Sequence, residues 1–346
     1  MSPQQKTKSK QPVAVVISDV HYNIQTLEVA DTAMRLAIAK ANELDVALVV
    51  CGDLHDTKAN IRGECIKAML NTFSLCRYPS IILRGNHDAL NEKSSEHSLE
   101  FLKEKAFVVD SPKSYVSLLE YGEEKLGILP YYHDINELRL VLKTFPKGST
   151  LFMHQGIQDT DSGHYIKDHS AIPKEWLAGY RVISGHYHTR QSFDLPEGGK
   201  FDYVGNPFSL NFGEAKDPDK GFQILYEGGN LEFVPTNLRK HCVYEYPAQM
   251  VDGYFADRRV IQPGPNDIIW VKIQGTTEEL SKITKQSIGL NQEFRLDLIP
   301  TTSTIDTTEI AENTSQDKIL DNLIENLSNT SEDKKERLKA LWKNLI

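Results

Sequence analysis

Ser80-Ile81-Ile82-Leu83-Arg84-Gly85-Asn86-His87-Asp88 reads as a short buried strand that stops at a glycine and then offers three side chains able to bind a metal or move a proton. The layout recurs along the chain. Val13 to Ile17 runs into Asp19-Val20-His21, Val46 to Val50 into Gly52-Asp53, Leu151 to Met153 into His154, and Tyr180 to Ile183 into Gly185-His186-Tyr187-His188. Five apolar runs deliver polar residues at the same end, where an α/β sheet carries its binding crevice. One site is expected to be fed by five segments.

The spacing between these runs predicts a helix over Thr26 to Leu44, with Leu27, Met34, Ile38, Ala41 and Leu44 on one face. A second is predicted over Asn60 to Leu75, with Ile66, Leu70 and Phe73 inward. Strand and helix alternate, which predicts a parallel sheet with helices on both faces. Glu96 to Lys105 reads as another helix, and Tyr115 to Glu120 with Lys125 to Leu129 as a hairpin through Tyr121-Gly122. Further on, Phe193, Phe201 to Val204, Gly221 to Glu227 and Leu231 to Val234 read as antiparallel strands that close a second sheet against the first.

This first domain is expected to span residues 13–240, after a polar leader over residues 1–12 that lacks the apolar core of a signal peptide. Residues 241–300 read as a small α/β module. It has strands at Asp267 to Gln274 and Glu293 to Ile299, and the Thr276-Thr277-Glu278-Glu279 spacing of a capping box between them. Residues 301–315 are threonine-rich and read as a linker. Residues 316–346 carry two helical stripes, Ile319, Leu320, Leu323, Ile324 and Leu327, then Leu338, Leu341, Trp342 and Leu345. Short helices after a linker are marginal alone, so they fold back or bind a partner.

With 346 residues, 40% hydrophobic and 25% charged, the chain has the composition of a soluble globular protein. No apolar run approaches the roughly 20 residues that span a bilayer. Cys51, Cys65, Cys76 and Cys242 show no CxxC spacing, which fits thiols in a reducing cytoplasm. The net charge of −9 argues against nucleic-acid binding over the whole surface. It leaves room for a nuclease, since two divalent cations would place positive charge where a phosphate sits.

The chemistry lies in the polar clusters. Asp19 and His21, two apart on an extended segment, can point the same way as a chelating pair, and His186 and His188 repeat that geometry. Asp53 brings a carboxylate able to bridge two cations, Asn86 an amide oxygen and His154 another imidazole. Mixed oxygen and nitrogen donors without thiolate suit manganese, iron or zinc. Two such ions about 3.5 to 4 Å apart clamp a phosphoryl group and activate a water, and His87 is placed to protonate the leaving oxygen. The natural reaction is hydrolysis of a phosphate ester. A lone DxH or HxH is usually a buried, hydrogen-bonded histidine; five clusters that each end a strand are not explained that way. His164 and His169 lie in a polar loop with no strand to present them and read as solvated.

Asp19-Val20-His21, Gly52-Asp53, Gly85-Asn86-His87-Asp88, His154 and Gly185-His186-Tyr187-His188 together resemble the signature of the calcineurin-like metallophosphoesterases over about residues 13 to 240. The resemblance implies a two-sheet metallophosphoesterase sandwich flanked by helices, here with a small α/β cap and C-terminal helices. It implies Asp19, His21, Asp53 and His188 around one metal, Asp53, Asn86, His154 and His186 around the other, and His87 as the catalytic histidine.

Within that superfamily, Gly52-Asp53-Leu54-His55-Asp56 and Tyr203 to Glu214 resemble the SbcD-type nuclease subunits of bacteria and phages. That resemblance implies two manganese ions and a DNA exonuclease acting on double-stranded ends and, when the partner uses ATP, an endonuclease at hairpins or blocked ends. It also implies an SbcC-like ABC ATPase bound through residues 316–346, and a homodimer for which Asn60 to Leu75 is a candidate. Asn206 replaces the usual serine, and Asp56 stands where archaeal and eukaryotic relatives carry a second catalytic histidine; His55 reads as a packed residue. Lys58, Arg62, Lys93 and Arg190 flank the motifs as candidate contacts to the DNA backbone. A small-molecule phosphodiesterase of the same superfamily is the rival reading, and a non-catalytic module on the same fold is a weaker one.

Overall fold

In a computed structural model the described residues are 11–58, 60–91, 96–115, 126–160, 170–217, 219–251, 261, 263–301 and 334–337. The chain opens with β1 (Pro12–Ile17), α1 (Leu27–Leu44), β2 (Ala47–Val50), α2 (Gly63–Phe73), β3 (Ser80–Leu83) and β4 (Ala106–Val109), the four strands running parallel. β1 already includes Pro12, so the polar leader ends before it; residues 1–10 lie outside the described residues.

The second sheet begins with β5 (Lys113–Tyr115), antiparallel to β6 (Leu126–Ile128). It continues through α3 (Ile135–Leu142), β7 (Thr150–His154), β8 (Arg181–Gly185), β9 (Gln191–Asp194) and β10 (Lys200–Tyr203), in spatial order β5-β6-β7-β8-β10-β9. The chain then returns to the first sheet. β11 (Gly221–Tyr226) pairs antiparallel with β1, and β12 (Asn230–Pro235) lies outside it, for the order β12-β11-β1-β2-β3-β4. The five site-bearing strands are therefore split three and two between facing sheets, and the late strands expected to build the second sheet alone are shared by both.

Side-chain alternation explains the layering. In β1, Val15 and Ile17 face the helices while Ala14 and Val16 face the other sheet; Leu48 and Val50 against Val49, and Ile82 against Ile81 and Leu83, repeat the division. The second sheet mirrors it, with Leu151, Met153 and Val182 under α3 and Phe152 and Ile183 between the sheets. Strands buried on both faces must be apolar throughout, which is why they read as unbroken runs. Each such side chain contributes about 1.5 to 3 kcal/mol on burial. On α1 the buried side is Ala30, Ala33, Met34, Ala37, Ile38 and Ala41, where four alanines let the helix approach closely and Met34 and Ile38 fill the space between them.

Two expectations are corrected. The buried face of α2 is Cys65, Met69, Thr72 and Phe73: Phe73 is inward as predicted, while Ile66 and Leu70 are only half-buried and Cys65 and Met69 take the inward places beside them. Glu96 to Lys105 is not an α-helix: His97 bridges to Ala89, and only Glu100–Leu102 makes a 3-10 turn. Of the predicted hairpin, β6 lies in the second arm and pairs with β5, which meets the first arm only at Tyr115; the rest of that arm and the turn, residues 116–125, lie outside the described residues.

A third sheet is wholly parallel, β13 (His241–Pro247), β14 (Ile268–Gly275) and β15 (Phe294–Pro300). The capping box at Thr276 and Glu279 is formed and opens α4 (Thr277–Leu280), and α5 (Lys285–Ile288) follows. Ile269, Val271, Ile273, Leu280 and Ile288 form its core. The sheet is seated on the main body through Phe212, whose ring lies edge-on to His241 (4.9 Å) and Trp270 (5.2 Å), and through a 3.0 Å contact between Ser209 Oγ and His241 Nδ1. The linker and the C-terminal stripes fall outside the described residues apart from a helical turn at 334–337. Among the described residues, no helix is long and apolar enough to cross a membrane.

Candidate metal centre

β1, β2, β3, β7 and β8 end together, and the residues after them turn into one site. The chain bends sharply there: Asp19, His21, Asp53 and His186 have φ of 51°, 49°, 50° and 96°, unfavourable for residues with a Cβ. Four candidate ligands in strained conformations mark a site held by its surroundings. The glycines explain how five loops fit into so little space. A Cβ on Gly185 would overlap Ser18 Oγ and the Cys51 carbonyl, and one on Gly85 would overlap the Asp53 side chain.

Buried carboxylates tie the loops to each other. Asp88, fully buried, accepts from the N–H groups of Leu54 (3.1 Å), His55 (3.3 Å) and Gly85 (2.8 Å), joining the loops after β2 and β3. Asp53 Oδ1 accepts from the His87 N–H at 2.8 Å. Asp19 accepts from the His186 N–H at 3.2 Å, linking β1 to β8 across the two sheets.

The donor atoms converge in two places. His21 Nε2 and His188 Nε2 face each other at 3.2 Å, and Asp53 Oδ2 lies 3.9 Å from His21 Nε2. His21 Nδ1 is 3.2 Å from Asp56 Oδ1, and His188 Nδ1 is 2.9 Å from Glu214 Oε1. A carboxylate can only accept, so each Nδ1 carries a proton and Nε2 is the ring atom turned inward. In the second place, His154 donates from Nδ1 to the Cys51 carbonyl (2.6 Å). Its Nε2 then faces Asn86 Oδ1 (3.0 Å) and Asp53 Oδ2 (3.2 Å), while His186 Nδ1 is 2.9 Å from the same Asn86 oxygen. Donor atoms this close need a proton or a metal cation among them. Asp19, His21 and His188 make one cluster able to hold an ion, and Asp19, Asp53 and His154 another. The donor set, imidazole nitrogens with carboxylate and amide oxygens, fits a transition-metal pair.

The same crowding shifts proton affinities. Burial opposes ionisation of Asp53, but the imidazoles of His154, His87 and His21 outweigh it and hold the carboxyl well below its usual range. Burial likewise opposes charge on His154, yet the carboxylates of Asp53 and Asp19 and the Cys51 carbonyl raise it to about 9. His188 is raised against burial by its bond to Glu214 and the charges of Asp19 and Glu214.

His87 stands at the rim, its side chain 36% exposed, with Nδ1 2.7 Å from the Asp56 carbonyl and its ring edge-on to His21. His55 points away, fully buried against Ser98, and burial lowers its proton affinity, as its packed reading anticipated. Of the candidate DNA contacts, Arg62 is paired with Glu64 at 3.2 Å, Arg190 with Asp219 while its guanidinium lies 4.6 Å from the centre of the Phe233 ring, and Lys58 is half-buried; Lys93 lies outside the described residues, as do His164 and His169. All four cysteines are free thiols.

Sequence reading missed the outer partners. Glu214 was noted only as part of a motif, yet its carboxylate gathers His188, Asn206 Nδ2 (2.9 Å), the Leu210 N–H (3.2 Å) and the buried Lys220 ammonium (2.9 Å). Tyr131 and Tyr187 both stack on His186, with ring centres 5.8 and 5.1 Å away.

A two-sheet α/β sandwich whose strand ends gather such donors is a metallophosphoesterase. The chain belongs to the calcineurin-like phosphoesterase family, whose model matches residues 13–219. That family works with a dinuclear metal centre and places this chain among hydrolases of phosphoester bonds. The chain is 31% identical over 83 residues to exonuclease subunit 1 of Enterobacteria phage T4, a match covering 24% of this chain and 23% of that protein. It is 25% identical over 249 residues to the DNA double-strand break repair protein Mre11 of Sulfurisphaera tokodaii, covering 66% of this chain and 63% of the relative. It therefore spans less than two thirds of either relative's length. A dimetal phosphatase structure from Danio rerio superposes with a TM-score of 0.39 at 12% identity, covering 63% of this chain and 93% of that one.

Proposed function

We propose that the chain is a manganese-dependent DNA nuclease subunit of the SbcD type. Asp19, His21, Asp53 and His188 would hold one ion, and Asp53, Asn86, His154 and His186 the other. The observation that carries the metal assignment is the pair of inward-facing Nε2 atoms of His21 and His188 at 3.2 Å, each ring oriented from behind by a carboxylate. Two divalent ions there would polarise the phosphoryl oxygens and lower the pKa of a water.

The chain's own groups do the rest. Asn86, His154 and His186 fix the phosphoryl side of the site from the second sheet and the β3 loop. His87, with Nδ1–H on the Asp56 carbonyl, presents Nε2 as the atom that gives its proton to the leaving oxygen as the ester P–O bond breaks. Similarity to an exonuclease subunit and to a double-strand break repair protein supports DNA as the substrate. The third sheet beside the Glu214 turn is then a cap that helps select DNA. An SbcC-like ATPase would dock on residues 316–346, and α2 is the candidate dimer contact, in the cytoplasm of a cell or of a phage host.

Purified protein with manganese and an end-labelled linear duplex tests this reading, with His87→Ala and bis-p-nitrophenyl phosphate in parallel. Metal-dependent shortening of the duplex that the variant lacks is expected. Cleavage of the small ester alone, even with an ATPase partner and ATP present, would make the protein a small-molecule phosphodiesterase.

A further inference from the structure

Asp56 lies where the loops after β1, β2 and β3 meet at the mouth of the site. Its backbone carbonyl takes the Nδ1–H of His87 at 2.7 Å. Its carboxylate takes the Nδ1–H of His21 at 3.2 Å and the Nδ2–H of Asn23 at 3.1 Å, and its own N–H donates to the Tyr22 carbonyl at 3.2 Å. Asn23 is itself fixed, since its Oδ1 caps the N–H groups of Gln25 (2.8 Å) and Thr26 (2.9 Å), while Thr26 Oγ1 returns to the His21 carbonyl at 2.7 Å. The carboxylate thus sits in a frame that closes on His21. Its side chain is 40% exposed, so it contributes little to the core, and its contacts are all to the site or to that frame.

We infer that Asp56 is a positioning residue with two separable actions: its carboxylate holds His21 as the Nδ1–H tautomer that turns Nε2 to the first metal, and its carbonyl holds the ring of His87. The inference rests on the dinuclear reading of the site. The two actions use different atoms of one residue. A side-chain substitution removes the first and keeps the backbone hydrogen bond to His87, taking away beside that ring only the 3.9 Å approach of the carboxylate to His87 Nδ1. Carboxylates behind metal-bound histidines typically change metal affinity about 10- to 100-fold when removed. Two rival roles are excluded by outcome. As a further metal ligand, which the closeness of His21, Asp56 and His87 donor atoms, all within 4.8 Å, permits, Asp56 would change the number of ions bound. As a group that reacts with substrate, it would be required even at saturating metal.

The test is manganese binding by the full-length protein, followed as free ion by electron paramagnetic resonance, for wild type, Asp56→Ala and Asp56→Asn. The melting temperature of each metal-free protein and turnover of two aryl phosphodiesters with good and poor leaving groups accompany it. The expected result for Asp56→Ala is two ions bound, one of them about 10- to 100-fold more weakly. Its metal-free melting temperature is unchanged, its kcat at saturating manganese lies within about threefold of wild type, and its leaving-group dependence is unaltered. Asp56→Asn keeps an acceptor oxygen and gives a smaller loss. Unchanged affinity overturns the inference, as does a kcat deficit that saturating manganese does not repair, a lost ion, or an equal weakening of both ions with a lowered melting temperature. Wild type that binds fewer than two ions would bring down the dinuclear reading, and this inference with it; two ions in wild type with an indifferent variant would bring down the inference alone.

Discussion

Glu214→Ala is expected to damage the protein twice, once in stability and once at the metal centre. The Glu214 side chain is 9% exposed and accepts from His188, Asn206, the Leu210 N–H and Lys220, whose own side chain is 3% exposed. Burial works against its ionisation, but His188, Lys220 and Asn206 hold its carboxyl well below the usual range. Truncation leaves Lys220 buried with Asp217 and Asn206 at 2.9 and 2.6 Å and the His188 carbonyl at 3.5 Å. Removing one member of a buried ion pair costs about 3 to 5 kcal/mol, and the lower end applies here because Asp217 still pairs with Lys220 while His188 and the Leu210 N–H lose their acceptor. With an m-value of about 3 kcal/mol/M for a body of this size, the urea midpoint of the metal-free protein should fall by about 1 M or more. Glu214→Gln, which retains an acceptor, should fall by less. His188 loses the partner that fixes its tautomer, so manganese affinity should drop as well, by about tenfold or more. A midpoint within about 0.2 M of wild type would refute the reasoning, because it would mean that water already satisfies Lys220 and His188.

Gly185→Ala drives a methyl group into Ser18 Oγ and the Cys51 carbonyl; a loss of about 1 to 3 kcal/mol or more in urea unfolding, with weakened manganese binding, is expected because Asp19 and His186 sit on the displaced segments. His241, held below its ordinary proton affinity by burial and by the charge of Arg239, is neutral in the fold and protonates more readily in the unfolded chain. The stability it supports is complete above about pH 6.5 and is lost as the pH falls below that value, so protection factors in β13 and β14, taken relative to the intrinsic exchange rate at each pH, should fall between pH 7 and 5 by an amount that His241→Gln reduces. Thr276→Ala removes one half of the capping box before α4 and should cost about 1 kcal/mol, seen as faster exchange of the amides of residues 277–281.

The strand ends could be read from the sequence because physics writes them twice, once as an apolar run and once as the polar residues that follow. A strand buried on both faces has no alternation to say which sheet it joins, so β7 and β8 read like β1 to β3 although they belong to the facing sheet. The stretch from Glu96 to Lys105 has helix-compatible residues, but there Ser98 Oγ donates to the Asp88 carbonyl and His97 pairs with Asp110, and those tertiary contacts override a weak local preference. The ligand candidates announced themselves by residue type. Their orienting partners did not, because Asp56 and Glu214 are 35 and 26 residues from the histidines they hold, and an acidic residue outside a strand end looks like any solvated charge. In the third sheet β14, β15 and the capping box between them were legible, whereas β13 and the seat on Phe212 were not.

The most direct measurement is an anomalous difference map from crystals of the full-length protein soaked in manganese. The account predicts two peaks, one among Asp19, His21, Asp53 and His188 and the other among Asp53, Asn86, His154 and His186, with Asp53 shared. A single peak, or two peaks away from the His21 and His188 Nε2 atoms, would contradict it.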